Sequence, residues 1–131
     1  MNILVCEDNA TSLKLLSFFV QKLGDFDDVT DGQDAVDAIE LSIEEGTPYD
    51  LIFLDLKMPE HDGWEILEFL RKTETEHGID SPARVIVTSV VDPDDPKNHA
   101  FRDEISAYLK KPFAMKAFKQ ALADVGCPLP G

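Results

Sequence analysis

Asp50-Leu51-Ile52-Phe53-Leu54-Asp55 sets four consecutive apolar residues between two acids. A run so short and unbroken reads as a strand buried on both faces, the pattern of a parallel sheet. Two other runs have the same form: Ile3-Leu4-Val5-Cys6 ahead of Glu7 and Asp8, and Ala107-Tyr108-Leu109 just ahead of Lys111. In a parallel sheet the C-terminal ends of all strands meet at one edge, where open α/β sheets bind ligands. Three carboxylates and one ammonium are therefore expected in a single crevice. Such a cluster is costly to assemble unless a cation or a phosphoryl group belongs there.

Outward from these runs, helical and strand patterns alternate along the chain. Asn9 is a good N-cap for a helix over 10–23 with apolar Leu13, Leu16, Phe19, Val20 and Leu23 on one face, stopped by Gly24. Phe26 to Thr30 reads as a short acidic strand, followed by the turn signal Asp31-Gly32. Gln33 to Glu45 carries a helical stripe of Ala35, Val36, Ile39 and Ile43, ended by Gly46-Thr47-Pro48. After the strand Leu51–Leu54 come a loop, a helix over 64–76 and a strand over 85–88. Pro93 and Pro96 delay the next helix, placed at 98–103. A strand at 107–109 and a helix at 115–124 complete a doubly wound α/β sandwich with right-handed crossovers. One domain over 1–125 and a tail over 126–131 account for the 131 residues, too few for two domains.

The net charge of −14 makes the chain a poor partner for DNA or an anionic membrane. Glu7 and Asp8 interrupt the first apolar run, so neither a signal peptide nor a membrane span is expected, and a cytoplasmic location follows. Cys6 and Cys127 lack metal-ligand spacing and are expected as free thiols.

Asp55, at the end of a rigid strand, has the chemistry of a nucleophile that attacks a phosphoryl group and holds it as an acyl phosphate. An anion must then attack an anion, and a divalent cation removes much of that repulsion. Magnesium prefers one or two carboxylates with waters and phosphate oxygens. Asp8 and Asp55 can supply the carboxylates, with Glu7 holding a metal-bound water, and Lys111 can pair with a phosphoryl oxygen. Taken singly, each group has a simpler use, as a turn residue, a helix cap or a surface lysine; their placement at one sheet edge favours the joint reading.

The segments Val5-Cys6-Glu7-Asp8-Asn9, Asp50 through Pro59 (with Asp55-Leu56-Lys57-Met58-Pro59), Asp62-Gly63, Val29 through Ala35 and Tyr108-Leu109-Lys110-Lys111-Pro112-Phe113 carry a resemblance over nearly the whole chain. The chain resembles the receiver domain of two-component response regulators, the CheY-like family. The resemblance implies a flavodoxin-like five-stranded parallel sheet in order 2-1-3-4-5 with five helices. It implies that Asp55 is the phosphoacceptor for a histidine kinase or histidine phosphotransfer protein. It implies Mg²⁺ held by Asp8, Asp55 and the backbone carbonyl of Lys57, with Glu7 in the outer shell. Lys111 would contact the phosphoryl group, and Pro112 would follow a cis peptide bond. A Ser or Thr hydroxyl at the end of the fourth strand would bond the new phosphoryl oxygen. The small residue that commonly follows this hydroxyl favours Thr88; the spacing to Lys111 favours Ser89 and puts Tyr108 at the aromatic switch position, and Ser89 is preferred.

The chain also departs from common members of that family. The region 92–103, part of the family's output face, is acidic and carries two prolines. Ile105-Ser106-Ala107 replaces the Gly-Ala-Asp-Asp run of receivers that dimerise through acidic residues there, so a monomer is expected before phosphorylation. If the chain is complete, its output passes through a downstream protein or it is a carrier in a phosphorelay; a piece of a larger regulator is equally compatible with the sequence. Two other functions stay open. A magnesium-dependent phosphohydrolase with an aspartyl phosphate commonly carries a general-acid Asp two residues after the nucleophile, where Lys57 stands. A pseudo-receiver acts without phosphorylation and usually lacks one of the acidic or lysine groups.

Overall fold

The structure, a computed structural model, describes residues 1–58, 60, 62–90 and 105–128. Five parallel strands form one sheet: β1 (Ile3–Cys6), β2 (Asp27–Val29), β3 (Leu51–Asp55), β4 (Arg84–Ser89) and β5 (Ala107–Lys110), in the order β2-β1-β3-β4-β5. The described helices are α1 (Ala10–Val20), α2 (Gly32–Glu44), α3 (Gly63–Glu76) and α4 (Met115–Asp124). This is the expected flavodoxin-like sheet; the expected helix at 98–103 lies outside the described residues.

Every residue of β1 and β3 is buried, as their unbroken apolar runs require. Alternation along the strands divides the core in two. Leu4, Cys6, Ile52, Leu54, Val85 and Val87 pack with Ala35, Ile39, Leu67 and Leu70 of α2 and α3. Ile3, Val5, Phe53, Ile86 and Leu109 pack with Leu16, Phe19, Phe118 and Leu122 of α1 and α4. Phe118 stacks on Phe53 at 5.7 Å between ring centroids and meets Phe19 at 5.2 Å, tying both helices to the central strand. Beyond α4 the chain folds back, with the Cys127 amide donating to the Leu122 carbonyl and its thiol buried. Cys6 and Cys127 are both free thiols.

Side chains start three of the helices where the strands deliver them. Asn9 accepts from the Ser12 amide, Asp31 from Asp34 and Asp62 from Glu65, each near 2.9 Å or shorter. Helix α1 is shorter than the expected 10–23: it ends at Val20, and a turn carries the chain to Gly24, whose φ of +139° only glycine adopts readily. Strand β2 is the weakest, with Asp27 and Asp28 exposed at the sheet edge. Among the described residues, no helix is long and apolar enough to cross a membrane.

Candidate functional site

The C-terminal ends of the strands are fastened by backbone hydrogen bonds. The Glu7 amide donates to the Val29 carbonyl, Leu56 to Thr88 and Lys111 to Ser89. Side chains leaving these ends therefore start from fixed positions. Cys6 pairs with Leu54, and Asp55 with Thr88, so Glu7, Asp55 and Thr88 lie side by side across β1, β3 and β4. Alternation puts all three on the face of Val5, Phe53 and Ile86, toward α1 and α4.

The carboxylates of Glu7, Asp8 and Asp55 converge, with one oxygen of each within 4.8 Å of the others. Glu7 and Asp55 are buried, whereas Asp8 is exposed. The Lys111 ammonium bridges the two buried acids, donating to Glu7 Oε1 and, at 3.1 Å, to Asp55 Oδ2. Backbone amides hold the other oxygens: Lys57 donates to Asp55 Oδ1 at 3.0 Å and Asn9 to Glu7 Oε2 at 3.2 Å. Burial pushes the Glu7 carboxyl up to about 7, and its contact with Asp55 adds to the rise, outweighing the stabilising ammonium and the Asn9 amide. For Lys111, burial alone acts downward, but the hydrogen bond to Glu7 and the charge of Asp55 carry the ammonium above its usual range.

A crevice of about 440 Å³ opens above this cluster, lined by Asp8, Asn9, Ala10, Asp55, Lys57, Ser89, Val90 and Lys111. Of the two hydroxyl candidates, Ser89 lines it. Both are buried, but Thr88 is not among the lining residues, and its Oγ1 has no hydrogen-bond partner. Tyr108 is half-buried, paired with Val87 across β4 and packed against the core on the α2–α3 side. The Lys111–Pro112 peptide is cis.

Two contributors carry no chemistry of their own and were not legible as site residues. The Asn9 amide fixes Glu7, a use that its helix-capping side chain conceals. Gly63 starts α3 against the loop that follows Asp55: a Cβ there would lie 2.7 Å from Leu56 Cα and 2.9 Å from the Asp55 carbonyl oxygen. Its amide donates to the Leu56 carbonyl at 2.9 Å, fixing the loop that carries Lys57. The Asp62-Gly63 pair was the available signal.

Three convergent carboxylates are hard oxygen donors of the kind Mg²⁺ takes, and two of them, Glu7 and Asp55, face the Lys111 ammonium. The donor set thus fits a divalent cation.

Residues 3–123 match the family of the response regulator receiver domain. Among similar proteins, the hybrid signal transduction histidine kinase L of Dictyostelium discoideum is 30% identical over 125 residues, 95% of this chain and 7% of that protein. The transcriptional regulatory protein CiaR of Streptococcus pneumoniae is 31% identical over 122 residues, 93% of this chain and 50% of that protein. The chain thus spans half or less of the length of these two relatives. The receiver domain of the histidine kinase CKI1 from Arabidopsis thaliana, complexed with Mg²⁺ and BeF₃⁻, is similar in structure with a TM-score of 0.78 at 25% identity, over 95% of this chain and 89% of that one. The bacteriophytochrome response regulator RtBRR matches with a TM-score of 0.78 at 27% identity, over 95% and 77% of the two chains.

Proposed function

This chain belongs to the response regulator receiver domain family, and from that premise we propose that it is a magnesium-dependent phosphoacceptor that takes a phosphoryl group onto Asp55 and switches a protein-interaction face. The donor is a phosphohistidine of a histidine kinase or a histidine phosphotransfer protein. The observation that carries the reading is the convergence of Glu7, Asp8 and Asp55 on one crevice with Lys111 between the two buried acids.

Asp55 is held for attack at both oxygens, by the Lys57 amide and by Lys111. One of these oxygens forms the new P–O bond as the P–N bond of the phosphohistidine breaks. The electron pair of the broken bond stays on the imidazole nitrogen, which then takes a proton from water. Asp8, Asp55 and the backbone carbonyl of Lys57 would hold Mg²⁺, with Glu7 behind them in the outer shell. When bound, the ion offsets the repulsion between the carboxylates and the entering phosphoryl oxygens. Lys111 is free to exchange its bond to Asp55 for one to a phosphoryl oxygen, since it also holds Glu7.

Ser89, which lines the crevice, supplies the hydroxyl that meets the phosphoryl group, in preference to Thr88, which does not line it. That contact exists only in the phosphorylated state, so it shifts the population toward conformers in which Ser89 is drawn to the phosphoryl group. Tyr108, on the neighbouring strand, turns with it and alters the face read by a downstream protein. The function is signalling, with phosphate loss limited to the chain's own acyl phosphate.

Incubating the protein with Mg²⁺ and acetyl phosphate and weighing it intact tests this. The wild type is expected to gain one phosphoryl mass and Asp55→Asn none. No gain in the wild type, or an equal gain in Asp55→Asn, contradicts the reading. Release of phosphate from esters in excess of protein would favour a phosphohydrolase.

A further inference from the structure

Thr88 is the buried polar group that the proposed chemistry leaves unused. Its side chain is fully buried, and its hydroxyl oxygen is the one buried side-chain oxygen or nitrogen among the described residues without a hydrogen-bond partner. Burying a hydroxyl unpaired is unfavourable, and a valine would fill the same volume without that cost. The residue also has a telling position. Thr88 pairs with Asp55 across β3 and β4, on the same face of the sheet, with Leu109 of β5 on its other side. Neighbouring strands lie about 4.8 Å apart, so a change of χ1 rotamer can bring the hydroxyl within reach of the adjacent carboxyl.

Resting on the assignment of Asp55 as phosphoacceptor, we propose that Thr88 is a positioning residue whose hydroxyl replaces Lys111 as hydrogen-bond donor to the Asp55 carboxyl during phosphoryl transfer. In the resting state Asp55 Oδ2 accepts from Lys111 and Oδ1 from the Lys57 amide, and Thr88 is idle. When the ammonium turns to the incoming phosphoryl oxygens, the Asp55 carboxyl loses one of its two donors. Mg²⁺ would hold one carboxylate oxygen, but a donor beside the other limits the carboxyl's remaining rotation, and attack requires a single orientation. The Thr88 hydroxyl, on the adjacent strand and already dehydrated, restores the second donor with no cost of desolvation at that moment. Its resting orphan state is then the counterpart of a bond reserved for the reaction.

The test compares wild type, Thr88→Val and Thr88→Ser by intact mass with time, at a series of Mg²⁺ and acetyl phosphate concentrations, together with melting temperatures in metal-free buffer. Valine is expected to keep or raise the melting temperature, to leave the half-saturating Mg²⁺ concentration unchanged, and to lower the maximal rate about fivefold, the worth of one modest hydrogen bond made only in the reaction. Serine is expected to recover the rate to within about twofold, because it keeps the donor. An unchanged maximal rate in Thr88→Val overturns the inference. So does equal slowing in both variants, which marks a packing effect, or a lower melting temperature in Thr88→Val alone, which marks a hydroxyl already bonded at rest. A wild type that gains no phosphoryl mass overturns the phosphoacceptor reading and this one with it; a labelled wild type with an unaffected valine variant overturns this one alone.

Discussion

At the scale of single residues, the site is a set of like charges held together by one ammonium. Glu7 and Asp55 share Lys111, and Asp8 stands beside them with its carboxylate in solvent. Asp55→Asn removes one negative charge while keeping an oxygen that accepts from the Lys57 amide. In metal-free buffer this variant should be more stable than wild type by on the order of 1 kcal/mol, read from urea unfolding. Adding Mg²⁺ should reverse the ranking, because an ion bound only by the folded state stabilises by about 2.7 kcal/mol at a hundredfold excess over its dissociation constant. A variant less stable than wild type in metal-free buffer would show that the carboxylates do not strain the fold. Gly63 makes a steric prediction. The Cβ of alanine would press on Leu56 Cα and the Asp55 carbonyl, both backbone, so Gly63→Ala should destabilise by about 1–3 kcal/mol. The same measurement checks it, and a neutral result would mean that the loop yields freely.

At the scale of elements, the strands hold the site and the helices hold the strands. The end of α3 is fastened to the start of β4 by Glu74, whose carboxylate accepts from the Ala83 amide at 2.6 Å and from Arg71 at 2.8 Å. Arg71 also donates to the Ala83 carbonyl. Glu74→Ala leaves the Ala83 amide without that acceptor and should cost about 1–3 kcal/mol in urea unfolding. No loss would mean that water takes the vacated place. This clamp was not legible in the sequence, where Glu74 reads as one more surface acid among the charges of α3. The buried strands were legible because a run as short and unbroken as Leu51–Leu54, bounded by acids, has the pattern of a strand buried on both faces. Strand β2, at the edge and half acidic, was marked only by the Asp31-Gly32 that follows, and its bounds were accordingly too wide. Helix α1 was read too long because Leu23 continues its apolar stripe through the turn that ends it. At the site, the meeting of Glu7, Asp8, Asp55 and Lys111 followed from strand ends alone. The orphan hydroxyl of Thr88, the Asn9 amide and the close approach of Gly63 did not, because they depend on cross-strand register and backbone spacing that no single segment contains.

At the scale of the whole molecule, a net charge of −14 on 131 residues is a uniform repulsion that the compact state must bear. Raising ionic strength from about 0.01 M to about 0.15 M shortens the screening length from about 30 Å to about 8 Å. The melting temperature should therefore rise by a few degrees with NaCl, and by more with MgCl₂ at equal ionic strength. Equal rises would show screening without a specific site. In the function proposed here, the crevice is where this general repulsion becomes local: a carboxylate cluster that is unfavourable alone would become a seat for a cation and, through it, for a phosphoryl group. The central claim is that this group lands on Asp55. Borohydride reduces an aspartyl phosphate to homoserine, so reducing the protein after treatment with Mg²⁺ and acetyl phosphate and sequencing its peptides by mass locates the acceptor. The account predicts homoserine at position 55 and aspartate at position 8; homoserine at another position, or none anywhere, would contradict it.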